Sequence, residues 1–307
     1  MTGRPGTYVN PILDRGCADP FILSAGDGYY LYGTGRGEDG RFLPVYHSPD
    51  LAAWQFVRGA VERGPEGAWN RRNFWAPEVM ALDGRCWLYY TAMPDGTAGN
   101  TGNRVGLAVA DAPDGPFEDR GVVVPYASLD GSPFVDADGT LYLYHTAEFG
   151  SDAAGLVPGR IYGIRLAAPD RVGGEPVELV THHHWQEGPC LMRREGRYYL
   201  FYSVGNWGDA TYCVRYALGD SPLGPFDEAP EPLLRSTEHV IGPGHHNVFR
   251  GPDGADWLVY HGWDPAHTDR YPRIDRLSWR DGRPWSPGPT TTPQPLPGST
   301  TVKEEPS

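Results

Sequence analysis

The chain has 307 residues, of which 39 are acidic and 26 basic, so its formal charge at neutral pH is −13. This charge disfavours binding to nucleic-acid phosphates and to anionic membrane surfaces. No stretch approaches the roughly 18 apolar residues of a membrane helix, and no apolar signal segment follows Met1, so we expect a cytoplasmic protein.

One aromatic phrase recurs five times along the chain. Its central leucine stands at intervals of 57, 55, 57 and 58 residues: Leu31, Leu88, Leu143, Leu200 and Leu258. A turn dipeptide, most often Asp-Gly, precedes each leucine, which is typical of a β-hairpin. Five near-equal β units predict an all-β fold, a five-bladed β-propeller with four antiparallel strands in each blade.

The five units nearly fill the chain. We therefore predict a single propeller domain over residues 1–290. Residues 291–307 are rich in Pro, Thr and Ser, which predicts a flexible tail.

A shorter signal lies ten or eleven residues before each leucine. In chain order it reads Asp19-Pro20-Phe21, Ala76-Pro77-Glu78, Ser132-Pro133-Phe134, Gly188-Pro189-Cys190 and His246-Asn247-Val248. Proline is tolerated at the first residue of a strand, so we place the start of each inner strand here. Inner strands surround the axis of a propeller, and polar residues at their entrances should converge: Asp19, Asp130, Glu187 and His245.

Two carboxyl groups that face each other across a cleft can cleave a glycosidic bond, one as a proton donor and one as a base that activates water. Asp19, Asp130 and Glu187 are predicted to occupy the same position in their repeats. Each one alone could be an ordinary turn residue before Gly or Pro. Three acids at the entrances of three blades favour a functional site, because their mutual repulsion opposes folding.

These ordered motifs, from Ala18-Asp19-Pro20 to Gly244-His245, are similar to those of glycoside hydrolase family 43 over roughly residues 9–288. That family consists of five-bladed propellers that invert anomeric configuration. The resemblance implies that Asp19 is the general base, that Asp130 modulates the pKa of the acid and orients it, and that Glu187 is the general acid. It also implies an oligosaccharide or glycoside substrate, a catalytic role for the domain, and chemistry that requires no cofactor.

Further site residues are predicted around these acids. Trp75 offers an aromatic face to a sugar ring, and Phe74, Trp185, Trp207 and Trp263 are additional candidates. The resemblance places an arginine of the last blade at the sugar, and register favours Arg270 over Arg273.

His245 matches a histidine that approaches calcium or another ion in the central channel of many family members. Calcium prefers oxygen ligands, so waters would complete its shell. In the alternative, His245 is a neutral residue bonded to channel waters.

The resemblance favours release of α-L-arabinofuranosyl units, with β-D-xylosidase, endo-arabinanase and β-D-galactofuranosidase activities as alternatives. Loops 95–103 and 149–160 should shape the pocket. A retaining fructan hydrolase is disfavoured by Ala18 and Gly131, which depart from the motifs of that group. A non-catalytic carbohydrate-binding propeller is disfavoured by the complete set of acids. The oligomeric state is left open.

Overall fold

Residues 6–298 are described by a computed structural model, and apart from one short 3₁₀ helix their regular secondary structure is β-strand. Five antiparallel sheets form the blades. The innermost strand of each blade contacts that of the next blade, and the last contacts the first, which closes the ring. The predicted five-bladed β-propeller is confirmed.

The strands follow the repeats in chain order. Blade 1 contains β2 (Ala18–Ala25), β3 (Gly28–Thr34), β4 (Phe42–Ser48) and β5 (Gln55–Val61). Blade 2 contains β6 (Arg72–Leu82), β7 (Arg85–Met93), β8 (Arg104–Ala110) and β9 (Glu118–Val122). Blade 3 contains β10 (Ser128–Val135), β11 (Leu141–Ala147), β12 (Ile161–Ala168), β13 (Arg171–Val172) and β14 (Val177–Val180). Blade 4 contains β15 (Gln186–Arg194), β16 (Arg197–Val204), β17 (Cys213–Gly219) and β18 (Phe226–Glu228). Blade 5 contains β19 (Ile241–Arg250), β20 (Asp256–Trp263) and β21 (Arg270–Arg276).

Four elements complete the described chain, together with a single turn of 3₁₀ helix, η1 (Ser151–Ala154). A hairpin of β22 (Ser278–Arg280) and β23 (Arg283–Trp285) follows blade 5. Short strands β1 (Thr7–Tyr8) and β24 (Gln294–Pro295) pair with each other. In blade 3, β13 and β14 both pair with β12 and share the fourth position.

The repeated phrase forms the second strand of every blade. All five anchor leucines are fully buried: Leu31, Leu88, Leu143, Leu200 and Leu258. Their neighbours pack in layers between blades, so that Tyr32 of blade 1 and Leu88 of blade 2 belong to one cluster. The sequence repeat of 55 to 58 residues therefore arises because each blade buries one leucine and its aromatic neighbours.

The innermost strands share a bulge near the axis. Each shifts register against its second strand at the predicted entrance motif. One residue of each bulge has a left-handed backbone: Asp19 (φ 50°), Ala76 (φ 47°), Asp130 (φ 60°), Gly188 (φ 56°) and His245 (φ 44°). Such a conformation is costly for most residues, and its fivefold repetition marks a position where the fold re-aims the strand.

Two details of the sequence prediction are corrected here. The strands begin before the prolines, since β2 begins at Ala18 and Pro20 lies in the bulge, where the ladder is interrupted. In blade 4 the left-handed residue is Gly188, so Glu187 stands one residue earlier than Asp19 and Asp130 do in their repeats.

A ring of hydrogen bonds joins neighbouring blades at these bulges. The backbone N–H of each left-handed residue donates to a side chain of the preceding blade. The five pairs are Asp19 to His261 Nδ1 (3.0 Å), Ala76 to Thr34 Oγ1 (2.8 Å), Asp130 to Thr91 Oγ1 (3.0 Å), Gly188 to Asp130 Oδ2 (3.0 Å) and His245 to Ser203 Oγ (2.8 Å). The bulges that carry the acidic residues are thus held in place by hydrogen bonds between neighbouring blades.

The predicted tail is described only in part. Gln294 and Pro295 pair with β1, whereas residues 299–307 lie outside the described part of the chain. No helix within residues 6–298 is long and apolar enough to cross a membrane.

Candidate active site

A cleft of about 600 Å³ lies at the bulged ends of the innermost strands. Its walls include all six residues that the sequence predicts for the site: Asp19, Trp75, Asp130, Glu187, His245 and Arg270. They come from all five blades. The volume is in the usual range for a small-molecule site. The structure brings these side chains together, while their individual roles stay predictions.

Asp19 is buried in a shell that favours its ionised form. Thr34 Oγ1 donates a hydrogen bond of 2.5 Å to Oδ2, and Arg270 Nη1 lies 3.3 Å from Oδ1. Burial by itself would raise the pKa of this carboxyl, but the charges of His245 and Arg270 lower it well below the usual value. Asp19 is therefore suited to accept a proton.

Asp130 has the opposite electrostatic character. Burial, followed by the charges of Glu187 and Asp19, raises its pKa well above the usual range. Its Oδ2 also accepts the backbone N–H of Gly188, the residue after Glu187. Asp130 thus restrains the backbone beside Glu187.

Glu187 is half-buried and held by two neutral donors. Trp185 Nε1 donates to Oε2 at 2.6 Å, and the Tyr212 hydroxyl donates to Oε1 at 2.6 Å. Burial, then the charge of Glu187, raises the pKa of Tyr212, which keeps its hydroxyl proton in place. These contacts fix the orientation of the carboxyl group without pairing it to a cation.

The two arginines of β21 occupy different environments. Arg270 lies in the cleft, where its guanidinium is 4.8 Å from the centre of the Trp207 ring and reaches Asp19. Arg273 is buried, and burial lowers the pKa of its guanidinium. Only Arg270 is placed to meet a ligand in the cleft.

The aromatic candidates separate into cleft and core. Trp75, Trp185 and Trp207 line the cleft. Trp263 stacks behind Trp207, with ring centres 6.1 Å apart. Phe74 is buried against the ring of Phe42 and belongs to the core.

Phe149 lines the cleft and belongs to loop 149–160, which the sequence analysis predicted to shape the pocket. Two other residues were missed. Glu148 lines the cleft although it lies outside the entrance motifs, and Tyr212 reaches Glu187 from the loop before β17. The ring of hydrogen bonds between blades had a sequence signal, because the third residue after the anchor leucine supplies four of its five acceptors: Thr34, Thr91, Ser203 and His261. The equivalent Thr146 donates to the carbonyl of Gln186 instead.

The residues around His245 do not form an evident calcium cage. Within residues 6–298, no three His, Cys, Asp or Glu side chains are grouped to hold a metal ion. His245 Nδ1 lies 3.4 Å from Asp19 Oδ1 and 3.8 Å from Asp130 Oδ2. Glu78 is buried, which raises its pKa to about 8, and its side chain bonds to Ser132 and Asn247 of other blades.

The predicted ion can be tested by thermal denaturation. If an ion binds beside His245 in the folded state only, a chelator should lower the melting temperature, and added calcium should restore it. The measurement is a melting curve of the full chain with chelator, with calcium and with neither. Identical curves would count against a structural ion.

Comparisons with known proteins agree with this geometry. The family described as glycosyl hydrolases family 43 matches residues 8–284. A β-D-galactofuranosidase of Aspergillus niger is 30% identical over 302 residues, covering 89% of this chain and 82% of that protein. An extracellular endo-α-(1→5)-L-arabinanase of Bacillus subtilis is 29% identical, covering 87% of this chain and 86% of that protein. A crystal structure of a thermostable family-43 glycoside hydrolase matches with a TM-score of 0.85 and 30% identity, covering 96% of this chain and 100% of that one.

Proposed function

This chain belongs to glycosyl hydrolase family 43, and from that premise we propose that it is an inverting enzyme that releases α-L-arabinofuranosyl units from short oligosaccharides. The supporting observation is the meeting of Asp19, Asp130 and Glu187 in one cleft, where the pKa of Asp19 is lowered well below its usual value, as suits a base that must be ionised.

In the proposed mechanism, water attacks the anomeric carbon as Asp19 removes one of its protons. Glu187 gives its proton to the glycosidic oxygen as the bond to the anomeric carbon breaks. The sugar leaves as the free hemiacetal with inverted configuration, and the rest of the substrate leaves as an alcohol. Arg270 keeps Asp19 ionised before the attack, and Asp130 keeps the backbone beside Glu187 in place.

A furanosyl substrate is supported by the two named relatives. One is called an arabinanase and the other a galactofuranosidase. α-L-Arabinofuranose and β-D-galactofuranose have the same arrangement of ring substituents and differ in the exocyclic chain. A pocket that holds one ring can therefore be adapted to the other by changes at its edge.

β-D-Galactofuranosidase activity is the second candidate, because the Aspergillus niger relative covers most of both chains. β-D-Xylosidase and endo-arabinanase activities would use the same carboxyls. They are distinguished by substrate and not by mechanism.

Hydrolysis of nitrophenyl glycosides tests this proposal. We expect the highest kcat/KM on the α-L-arabinofuranoside, with lower values on the β-D-galactofuranoside and the β-D-xyloside. A preference for the galactofuranoside would support the second candidate. If none of the three is hydrolysed, arabino-oligosaccharides should be tested as substrates. If those are not cleaved either, a carbohydrate-binding protein without catalytic activity is favoured.

The stereochemistry can be followed on the best of these substrates. NMR during the first minutes of hydrolysis should show the sugar with the anomeric configuration opposite to that of the substrate. Initial release with retained configuration would contradict the roles proposed for Asp19 and Glu187, because a retaining enzyme uses one carboxylate as a nucleophile.

A further inference from the structure

Two large aromatic rings of the cleft are unusually exposed. Phe149 is 57% exposed and Trp207 is 50% exposed, and both line the cleft. Trp285, with 39% exposure, lies outside it and is covered by the guanidinium of Arg280, 3.9 Å from the centre of its indole. An apolar ring left open to water beside a catalytic cleft is suited to stack on a ligand.

Phe149 belongs to the same side of the cleft as Glu187. Its ring centre lies 5.1 Å from that of Trp185, and Trp185 donates directly to Glu187 Oε2. The proton donor of a glycosidase must lie beside the bridging oxygen, because it protonates that oxygen as the leaving group departs. Phe149 is therefore on the leaving-group side.

Trp207 is linked to the other carboxyl. Arg270 lies over its ring at 4.8 Å and reaches Asp19 Oδ1 at 3.3 Å. The base activates water on the face of the sugar opposite to the leaving group. The two exposed rings thus have different relationships to the bond that breaks.

We propose that Phe149 is the platform on which the first sugar of the leaving group stacks, so that this enzyme distinguishes saccharide from small alcohol leaving groups. The inference rests on the proposed function. It assigns a specificity determinant to loop 149–160, whose effect should depend on the leaving group alone.

Glu148 is the positioning residue for this platform. Its side chain accepts the backbone N–H of Phe149 at Oε1 (2.8 Å) and the Asn103 side-chain amide at Oε2 (3.3 Å). Asn103 in turn accepts a hydrogen bond from Asn73 Nδ2 at 3.0 Å. Glu148 is almost fully buried, and its side chain joins loop 95–103 to the first residue of loop 149–160.

The test compares two glycosides of the sugar that the wild-type enzyme cleaves: the disaccharide and the methyl glycoside. Both have alkoxide leaving groups, but only the disaccharide has a ring that can stack. We expect Phe149→Ala to lower kcat/KM on the disaccharide by about five- to tenfold, the size of one aromatic contact, and to change the methyl glycoside by less than about twofold. Equal losses on both substrates, or no loss on either, would overturn the proposal.

Two matched variants serve as controls. Trp285→Ala removes an exposed ring outside the cleft and should leave both substrates unchanged. Trp207→Ala removes a ring in contact with Arg270 and should lower both substrates by similar factors. If Trp207→Ala loses activity on the disaccharide alone and Phe149→Ala loses none, the platform is Trp207 and the proposal is wrong.

The role of Glu148 is tested through the same ratio of kcat/KM values. Glu148→Gln keeps an oxygen that can accept the Phe149 N–H, so its ratio of kcat/KM values on the two substrates should stay close to that of the wild type, whatever the loss of the charge does to both values. Glu148→Ala should reproduce the selective loss of Phe149→Ala, and the double variant should lose no more than either single one. Additive losses in a double variant with a normal circular-dichroism spectrum would show that Glu148 does not act through Phe149.

Failure of this inference can be told apart from failure of the proposed function. If the wild-type enzyme cleaves neither glycoside, the hydrolase proposal for that sugar fails. If it cleaves both and Phe149→Ala leaves their ratio unchanged, only the assignment of the leaving-group platform fails.

Discussion

Glu187→Gln is expected to lower kcat/KM on arabino-oligosaccharides by about 10²- to 10⁴-fold, the usual contribution of general acid catalysis. Activity on nitrophenyl glycosides should be largely retained, because that leaving group departs with little protonation. The glutamine has nearly the same shape and keeps an oxygen that can accept from Trp185 or Tyr212. The measurement is kcat/KM of the variant and wild type on both kinds of substrate.

Glu195→Gln is a suitable control, because its side chain is 74% exposed at the next hairpin turn of the same blade. It should leave both substrates unchanged. Equal losses on nitrophenyl and saccharide substrates in Glu187→Gln would argue against a proton donor, since a binding residue affects both leaving groups alike.

The repeat predicted the fold because one buried leucine recurs in every blade, and five such units leave few alternatives to a propeller. The bulges were harder to predict from the sequence. Prolines indicated where the inner strands are interrupted, but they gave no information on which residue takes the left-handed conformation. The offset of Glu187 relative to Asp19 and Asp130 follows from Gly188, the residue that needs least energy to adopt it.

The acids could be located from sequence because their motifs repeat with the blades. Loop 149–160 was expected to shape the pocket, but the individual roles of Phe149, Glu148 and Tyr212 could not be predicted, since they lie in connections whose length and path differ from blade to blade. Their proximity to Glu187 depends on how those connections fold back over the cleft. The same connections determine substrate specificity, so specificity was also the part of the function that was hardest to predict from the sequence.

Asp19→Asn is expected to reduce kcat/KM on nitrophenyl and saccharide substrates alike, by about 10²- to 10⁴-fold. The amide cannot take a proton from water, and an activated leaving group does not replace that step. Because the pKa of Asp19 is lowered well below its usual value, the wild-type base should remain ionised in weakly acid solution. The ratio of wild-type to variant kcat/KM should therefore stay constant between about pH 5 and 7.

Asp14→Asn is the matched control, because its carboxylate is 96% exposed in the segment before β2 and should not affect turnover. A melting curve must show that the Asp19 variant is folded, because the substitution removes the charged partner of Thr34 and Arg270. Substantial turnover by a folded Asp19→Asn protein would exclude Asp19 as the base. The two variants then differ in a decisive way. The loss of kcat/KM in Glu187→Gln should depend on the leaving group, because Glu187 acts on the departing oxygen. The loss in Asp19→Asn should not, because Asp19 acts on the attacking water.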